Sequence, residues 1–297
     1  MGLMTPLWSS CFVAAVACLA GVAAAQADPP QMLHIAFRGS GADVVVSWAT
    51  NLNTATSTVR YGTSASALTS VATGSGHSYY QLFNHDVVLV GLAPATVYYY
   101  SCGNAAAGWS KVYSFESPRA AGDATPFSVA VYGDMGATES EETIASLVAR
   151  LPSFDFVMHI GDFGYSDDNL NTSNFEPIWN EWQGMIEPIA ASKAYMVAPG
   201  NHEASCHEFG DILCPLPFTN FTAYNYRFRM PAVESGSGTN MWSSFDYGMA
   251  HFIMIDTETD VPKAPEGPDT LWHAGVGVRA RVRSGLSAGQ TVRVLAR

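Results

Sequence analysis

The sequence predicts a two-domain protein in which an N-terminal β-sandwich precedes an α/β domain. Two observations support this fold class. After residues 118–122, PRAAG, the hydrophobic pattern changes from an alternation of period two to an alternation of strands and helices. Each of three apolar strands in the second part is then followed, within three residues, by glycine and a polar side chain. The chain of 297 residues is long enough for two domains of ordinary size.

Composition and charge exclude two classes of protein. Hydrophobic residues make up 48% of the chain and aromatic residues 12%, which is too much for a disordered protein. The formal net charge of −12 argues against nucleic acid as a partner, because a phosphate backbone needs a basic face. Beyond the N-terminus no apolar run is long enough to span a bilayer, so we expect no membrane contact in the mature protein.

Residues 1–27 have the pattern of a secretory signal peptide. The stretch 11–25, CFVAAVACLAGVAAA, carries no charge, and small residues lead to a cleavage site before Asp28. Residues 1–12 lack the Lys or Arg that usually precedes such a stretch, and a buried apolar helix is the alternative interpretation. We therefore expect a secreted, extracellular protein.

Secretion determines how the cysteines and the sequons are interpreted. In an oxidising compartment we expect Cys206 and Cys214, eight residues apart, to form a disulfide. Cys102 is then either buried and free, or bonded to a partner outside this chain. The sequons at Asn171 and Asn220 predict N-glycosylation, which would make the protein a glycoprotein.

Residues 28–120 predict the β-sandwich. Short β-branched and aromatic runs lie between clusters of Gly, Pro, Ser and Asn, as is typical of antiparallel strands, and the clearest runs are 44–48, 87–90 and 97–100. The corner GLAPATVY at 91–98, with Trp48 some 50 residues before its tyrosine, resembles a fibronectin type III domain. The histidines of this region are scattered singly and are expected to be structural: His34, His77 and His85.

Residues 125–272 predict the α/β domain. Buried parallel strands are expected at 127–132, 156–160 and 194–197, and a later hairpin around Gly248 is expected from 244–247 and 251–255. His251 lies within the second apolar run of that hairpin, and we expect it to be a core residue.

Two helices are predicted between these strands. The first is expected to begin with a capping box of Thr138 and Glu141 and to end at Pro152. Its apolar residues recur at helical spacing: Ile144, Leu147, Val148 and Leu151. The second helix is expected over about 179–191.

Residues 273–297 do not continue this pattern. The segment 279–297 contains five arginines and no acidic residue, whereas residues 1–278 contain all 26 acidic residues and nine basic ones. Neither a helical stripe nor a strand alternation is visible in the tail. We interpret it as non-native sequence, such as a frameshift or an intron read-through, with a basic tail for anionic partners as the alternative.

Three short motifs follow the three parallel strands in order: GDMG at 133–136, GDFGY at 161–165 and GNHE at 200–203. The carboxyl ends of neighbouring parallel strands meet at one crevice, so the side chains of these motifs are expected to lie together. Two aspartates, a tyrosine, an asparagine and a histidine crowded together would repel one another or stay unsatisfied without a cation. An oxygen-rich set of this kind suits Fe, Mn, Mg or Zn.

The three motifs resemble the first three of the five motifs of the purple acid phosphatases, within the calcineurin-like metallophosphoesterases. The resemblance covers about residues 30–270, and the stretch IDTETD at 255–260 is similar to fungal members. It implies an N-terminal fibronectin type III-like β-sandwich followed by an incomplete α/β metallophosphoesterase domain, half of an αββα sandwich. It also implies a hydrolase, an acid phosphatase acting on a phosphate ester substrate.

The resemblance assigns a role to five residues of the motifs. Asp134 would bind Fe(III), Asp162 would bridge both metals, and Tyr165 would give a phenolate to the iron. Asn201 would bind the divalent ion, which is Zn, Mn or Fe, and His202 would be the catalytic residue that contacts the phosphate or the leaving group. The metal pair would generate a hydroxide from water, and this hydroxide would attack phosphorus.

The fourth and fifth motifs of the family, VxxH and GHxH, do not occur in this sequence. After Glu203 the only histidines are His207, His251 and His273, and none stands in either context. By the resemblance the iron keeps three protein ligands and the divalent ion two. We therefore expect the chain to be C-terminally truncated, poorly soluble and inactive.

Two alternative functions remain open on the sequence. One is a metallophosphodiesterase or nucleotide pyrophosphatase of the same superfamily. The other is a non-catalytic secreted binding protein, with the fibronectin-like domain as the binding module.

Overall fold

The computed structural model describes residues 27–51, 53, 56–169, 171–206, 214, 218–256, 278–282 and 293–296, the last two segments as backbone only. Two regions of the sequence argument lie outside these residues, namely the predicted signal peptide up to residue 26 and most of the tail. No helix among the described residues is both long and apolar enough to cross a membrane.

The first domain consists of eight antiparallel strands. These are β1 Gln31–Phe37, β2 Val44–Thr50, β3 Ser57–Gly62, β4 Ser70–Tyr79, β5 Leu82–Leu89, β6 Val97–Asn104, β7 Gly108–Trp109 and β8 Tyr113–Glu116. Their order is β1-β2-β5-β4-β3-β6-β7, with β8 also paired to β6. The three strands predicted from the sequence are confirmed as β2, β5 and β6.

Strand β4 belongs to both halves of this sheet. Its first residues pair with β3, from Ser70 to Gly74, and its last residues pair with β5, from Ser75 to Tyr79. A Cβ atom at Gly74 would lie 2.0 Å from the carbonyl oxygen of Asp86, so this crossing requires glycine. A strand that switches partners in this way is how two packed sheets share a corner.

The second domain contains a parallel and an antiparallel sheet. Its elements are β9 Ser128–Tyr132, α1 Glu141–Ala149, β10 Phe156–Ile160, α2 Phe175–Ala190, β11 Tyr195–Ala198, α3 Thr222–Arg227, α4 Ala232–Ser235, β12 Trp242–Tyr247, β13 Ala250–Ile255, β14 Val278–Val282 and β15 Arg293–Ala296. Strands β11, β10, β9 and β15 are parallel neighbours in that order, and β12, β13 and β14 are antiparallel. The predicted parallel strands and the hairpin are confirmed.

The predicted capping box of the first helix is wrong. Helix α1 begins at Glu141 after Ser140, and the Ser140 hydroxyl donates to the carbonyl of Gly136 at 2.9 Å instead of capping the helix. Thr138 is exposed and lies three residues before the first residue of the helix. The reason is tertiary, because hydrogen bonds to a neighbouring loop hold residues 134–137 outside the helix.

Two further expectations are corrected. Strands β14 and β15 lie in the tail where the sequence shows no strand alternation. They pair with β13 and β9, whose backbone groups form hydrogen bonds whatever the side chains are. His251 is not a core residue, since its side chain is 34% exposed and its Nδ1 lies 2.8 Å from an oxygen of Asp246.

The two domains share one hydrophobic core. The two sheets of the second domain pack through Phe156, whose ring lies 5.7 Å from that of Phe245 and 5.3 Å from that of Phe252. Phe37 of β1 enters the same cluster, 5.2 Å from Phe156. The first domain therefore completes the core of the second.

A buried ion pair lies at this domain interface. Arg227 of α3 pairs with Glu176 of α2, and both side chains are 1% exposed. The same guanidinium donates to Gln183 at 2.5 Å and to Asn180 at 2.7 Å. Tyr79 of β4 donates its hydroxyl to Glu176, so the first domain takes part in the network.

The structural role predicted for the histidines of the first domain agrees with their contacts. His85 is 1% exposed and stacks on Trp48, with ring centroids 4.8 Å apart. Its two ring nitrogens lie 2.8 Å from the hydroxyls of Thr50 and Ser57. His34 is buried beside the Met32 carbonyl.

We predict that Glu176→Ala destabilises the protein by about 3–5 kcal/mol, because it leaves the charge of Arg227 buried without its partner. Unfolding in urea measures the change in the free energy of unfolding. The matched control is Glu234→Ala, which removes a partly exposed ion pair with Arg38 and should cost at most about 1 kcal/mol. Equal losses in the two variants would contradict the prediction.

We also predict that His85 makes stability depend on pH. Burial, as the largest cause, lowers the pKa of His85 to about 4 from 6.5. As the pH falls from 6.5 towards 4 the unfolded chain takes up a proton that the folded chain does not, so stability is complete above pH 6.5 and is lost below it. The difference in unfolding free energy between the wild type and His85→Gln should shrink by roughly 3 kcal/mol over this range. A difference that stays constant with pH would refute it.

Candidate metal centre

Three loops form the candidate site, one at the carboxyl end of each of three neighbouring parallel strands. They are residues 133–137 after β9, 161–165 after β10 and 199–203 after β11. They carry the three sequence motifs. The parallel pairing of β9 with β10 and of β10 with β11 brings all three loops to one edge of the sheet.

The first two loops are joined through their backbones. Four consecutive N–H groups of the first loop donate to carbonyls of the second: Asp134 to Gly161, Met135 to Asp162, Gly136 to Phe163 and Ala137 to Gly164, at 3.3, 3.1, 2.7 and 3.1 Å. The relative position of these two loops is therefore fixed without any side chain.

The backbone of the site is strained at three positions. Asp134, Asp162 and Tyr165 have φ of 53°, 56° and 52°, in the left-handed region that side chains other than glycine seldom adopt. Such residues cost of order 1–3 kcal/mol each and are concentrated at functional sites.

Four of the five predicted site residues contact one another. The Tyr165 hydroxyl donates to Asp134 Oδ1 at 2.9 Å, and its ring lies 4.2 Å from that of His202. The backbone N–H of His202 donates to Asp162 Oδ1 at 3.2 Å. Asn201 precedes His202 in an exposed 3-10 turn.

Two glycines allow the second and third loops to approach each other. A Cβ atom at Gly200 would lie 2.2 Å from Asp162 Oδ1, and one at Gly161 would lie 2.8 Å from the Gly200 Cα. A side chain at Gly200 would displace the carboxylate of Asp162, and one at Gly161 would push the backbone of the third loop away from the second.

The electrostatics of the site favour a cation. Burial raises the pKa of Asp162, and the charge of Asp134 adds to this shift. Burial, the hydrogen bond to Asp134 and the nearby carboxylates raise the pKa of the Tyr165 phenol. In the described part of the chain no ion pair joins Asp134 or Asp162 to Lys or Arg. Their oxygen donors therefore fit hard or borderline metal ions.

The sequence argument missed two acidic residues beside the site. Asp167 and Asp168 lie near His202, with ligand atoms of all three within 4.8 Å of one another. His202 Nδ1 is 3.0 Å from Asp167 Oδ1 and 3.5 Å from Asp168 Oδ1. Their position, two and three residues after Tyr165, is the sequence feature that could have identified them as site residues.

The histidine and its carboxylates perturb one another. Burial lowers the pKa of His202. The hydrogen bond and charge of Asp167, with the other carboxylates, raise this pKa by more than burial lowers it, so the net shift is upward. Burial raises the pKa of Asp167 to about 6.

Glu203, the last residue of the third motif, was given no role from the sequence. It is 2% exposed, and its carboxylate accepts N–H groups of Asp162, Phe163 and Gly200 at 2.8, 2.9 and 2.7 Å. Burial raises its pKa to about 8, against the opposing effect of these N–H donors.

An open cleft of about 420 Å³ adjoins the site. Tyr165 and Asp168 lie on its wall, together with Ile178 and Glu181 of α2. The cleft offers room for the organic part of a ligand whose charged group lies at the three loops.

The remaining predicted sites lie at the surface or in loops. A disulfide joins Cys206 and Cys214, with Cα atoms 5.7 Å apart, and Cys102 is a buried free thiol. Asn171 and Asn220 are both exposed. Their glycosylation stays a prediction.

Two family models match the chain. The model described as the purple acid phosphatase N-terminal domain matches residues 30–117. The model described as calcineurin-like phosphoesterase matches residues 127–280, which is more than half of the chain and includes all three loops.

Individual relatives agree with these models. Acid phosphatase A of Cryphonectria parasitica is 33% identical over 298 residues, covering 80% of this chain and 58% of the relative. Acid phosphatase of Aspergillus ficuum is 33% identical over 299 residues, covering 70% of this chain and 49% of the relative. The chain thus spans about half the length of the relatives it matches.

One solved structure shows the same fold. A purple acid phosphatase from seeds of yellow lupin (Lupinus luteus) superimposes with a TM-score of 0.63 at 23% identity, covering 78% of this chain and 46% of that one. The agreement supports the arrangement of an N-terminal sandwich followed by an α/β domain.

We predict that Gly200→Ala weakens metal binding at least roughly tenfold, because the new methyl group would displace the Asp162 carboxylate. The backbone of Gly200, with φ of −115°, is open to alanine, so only the contact matters. Titration with Mn(II) measures the effect. The control is Gly184→Ala on the exposed face of α2, where a Cβ meets nothing within 4 Å. It should keep metal affinity and gain about 0.5–1 kcal/mol of stability.

Proposed function

Because this chain belongs to the purple acid phosphatases, within the calcineurin-like phosphoesterases, we propose that the protein hydrolyses phosphate monoesters at acid pH with a binuclear metal centre. The observation that carries the proposal is the contact of Asp134, Asp162, Tyr165 and His202 at the ends of three parallel strands.

The charge of the site supports a metal-dependent reaction. Asp162, Asp167 and Asp168 act on His202, and Asp134 accepts from the neighbouring Tyr165, while a phosphate ester carries negative charge of its own. Without cations the carboxylates would repel the substrate. The site therefore suits phosphate only when metal ions neutralise it.

We assign the metal ligands as Asp134, Tyr165 and Asp162 for Fe(III), and Asp162 with Asn201 for a divalent ion, Zn, Mn or Fe. Asp162, whose loop lies between the other two, would hold both ions, as the family resemblance implies. When bound, such a pair supplies Lewis acidity toward the phosphoryl oxygens and lowers the pKa of water.

His202 is proposed to act on the leaving group. Asp167 accepts the Nδ1 proton of His202 at 3.0 Å, which orients the ring and leaves Nε2 for the substrate. The raised pKa of His202 favours the protonated ring in acid. His202 then donates a proton to the ester oxygen as the alkoxide departs. Asp167 is a positioning residue in this step.

The proposal also covers the activity of this chain and its secretion. Its sequence lacks the histidines of VxxH and GHxH, so the centre is incomplete and we expect no turnover from these 297 residues alone. Secretion is also proposed, on the pattern of residues 1–27, with the Cys206–Cys214 disulfide and the exposed sequons as supporting features.

We predict that a chimera of residues 1–256 with the C-terminal part of the Cryphonectria parasitica relative hydrolyses p-nitrophenyl phosphate at acid pH. Asp162→Asn in this chimera should reduce kcat/KM at least roughly a hundredfold, because the bridging carboxylate is lost. Asp123→Asn, in the loop before β9, is the control and should keep activity.

Three outcomes would count against the proposal. A folded chimera without phosphatase activity would refute the function, and a preference for diesters over monoesters would refute the substrate class. Turnover by the unextended chain equal to that of the chimera would refute the incomplete centre.

A further inference from the structure

Glu203 connects two of the three loops of the site, and we propose that it is a positioning residue that sets the geometry of the metal ligands. The inference rests on the proposed function, because it assigns Glu203 a role toward the metal centre assigned above. Glu203 binds neither metal nor substrate in this role. It acts through the backbone of the loops that carry Asp162 and Asn201.

The three loops are held together by two different kinds of contact. The first and second loops share four backbone hydrogen bonds, which do not depend on side chains. Between the second and third loops, the Glu203 carboxylate accepts the N–H groups of Asp162 and Phe163 at 2.8 and 2.9 Å, and Asp162 Oδ1 accepts the N–H of His202 at 3.2 Å. The register of the third loop against the second therefore depends on two side chains, and Glu203 is the one that binds the backbone of the second loop.

The carboxylate uses both of its oxygens in this contact. Oε2 accepts from Asp162 and from Gly200, at 2.8 and 2.7 Å, and Oε1 accepts from Phe163. Only a group with two acceptor oxygens and no donor satisfies three converging N–H groups. Since Glu203 is 2% exposed, bulk water does not replace it, and its loss leaves three buried donors unpaired.

The positions of the ligands depend on these bonds. Asp162 has its backbone in the left-handed region at φ 56°, a conformation that needs support from its surroundings. The Glu203 carboxylate accepts the N–H of Asp162 and that of Phe163, and so holds the backbone of Asp162 in place. Asn201 lies two residues before Glu203 in the same 3-10 turn. Gly200 directly precedes this turn, and its N–H also donates to the Glu203 carboxylate. Without Glu203 the two loops keep the bond from the His202 N–H to Asp162 Oδ1 but lose the two bonds that hold the backbone of Asp162 and Phe163.

The experiment compares two variants at Glu203 with the same two at Glu187 in the full chain. Glu187 is a suitable match, because it also accepts a backbone N–H, that of Leu33, and a second donor, Tyr113, but lies at the domain interface. Glu203→Ala removes all three bonds. Glu203→Gln keeps the volume and one carbonyl acceptor, so it tests the proposal even if the alanine variant does not fold.

Two measurements are made on each variant. The affinity for Mn(II) is measured from the free-ion signal in electron paramagnetic resonance. Hydrogen exchange of the amides of Asp162, Phe163 and Gly200 is measured by NMR without metal, so this readout does not depend on the metal centre.

We expect Glu203→Ala to weaken Mn(II) binding by roughly tenfold to a hundredfold, and Glu203→Gln by less. Exchange at the three amides should rise in both, while the Glu187 variants keep Mn(II) affinity and slow exchange at these amides. Wild-type affinity in the Glu203 variants, or an equal loss in both pairs, would overturn the role of Glu203. If the wild type binds no Mn(II), the incomplete centre does not hold this ion, and amide exchange alone then tests the contact. Unchanged exchange at the three amides in the Glu203 variants would overturn it.

Discussion

The crowding of carboxylates at one edge of a parallel sheet is the constraint on which the rest of this structure depends. Asp134 and Asp162 are brought together by strand pairing, and no lysine or arginine forms an ion pair with them in the described part of the chain. Like charges at short range are unfavourable, so the backbone must hold them in place. The strained φ angles and the glycine contacts are the means by which it does so. In the proposed function, metal ions would supply the compensating charge.

Packing in the surrounding protein stabilises these strained loops. The sheet below the loops is packed between helices and a second sheet, and Phe37 of the first domain fills part of the same core. The Arg227–Glu176 pair adds a polar network across the domain boundary. The two domains inferred from the sequence are therefore one packed unit, and among the described residues the sandwich supports the site without contributing a side chain to it.

Much of the fold and part of the site could be predicted from the sequence, because both depend on local patterns. The apolar runs of β9, β10 and β11 predict buried strands, and a glycine with a polar residue after each predicts one shared edge. The start of α1 could not be predicted, because bonds from a distant loop override the capping pattern at Thr138. Asp167 and Glu203 were missed for a similar reason, since the contacts that show their roles, with His202 and with Asp162, join residues more than 30 positions apart.

The sequence by itself determined the order of the three parallel strands and of the two helices between them, the identity of the motif residues and the family. These follow from periodicity and from short spacings along the chain. Only the tertiary structure decided which groups meet: that Tyr165 donates to Asp134, that Asp167 orients His202, and that one buried carboxylate ties Asp162 to the third loop. The physical reason is that these contacts depend on directions and distances between loops far apart in the chain, and residue types do not encode either one locally.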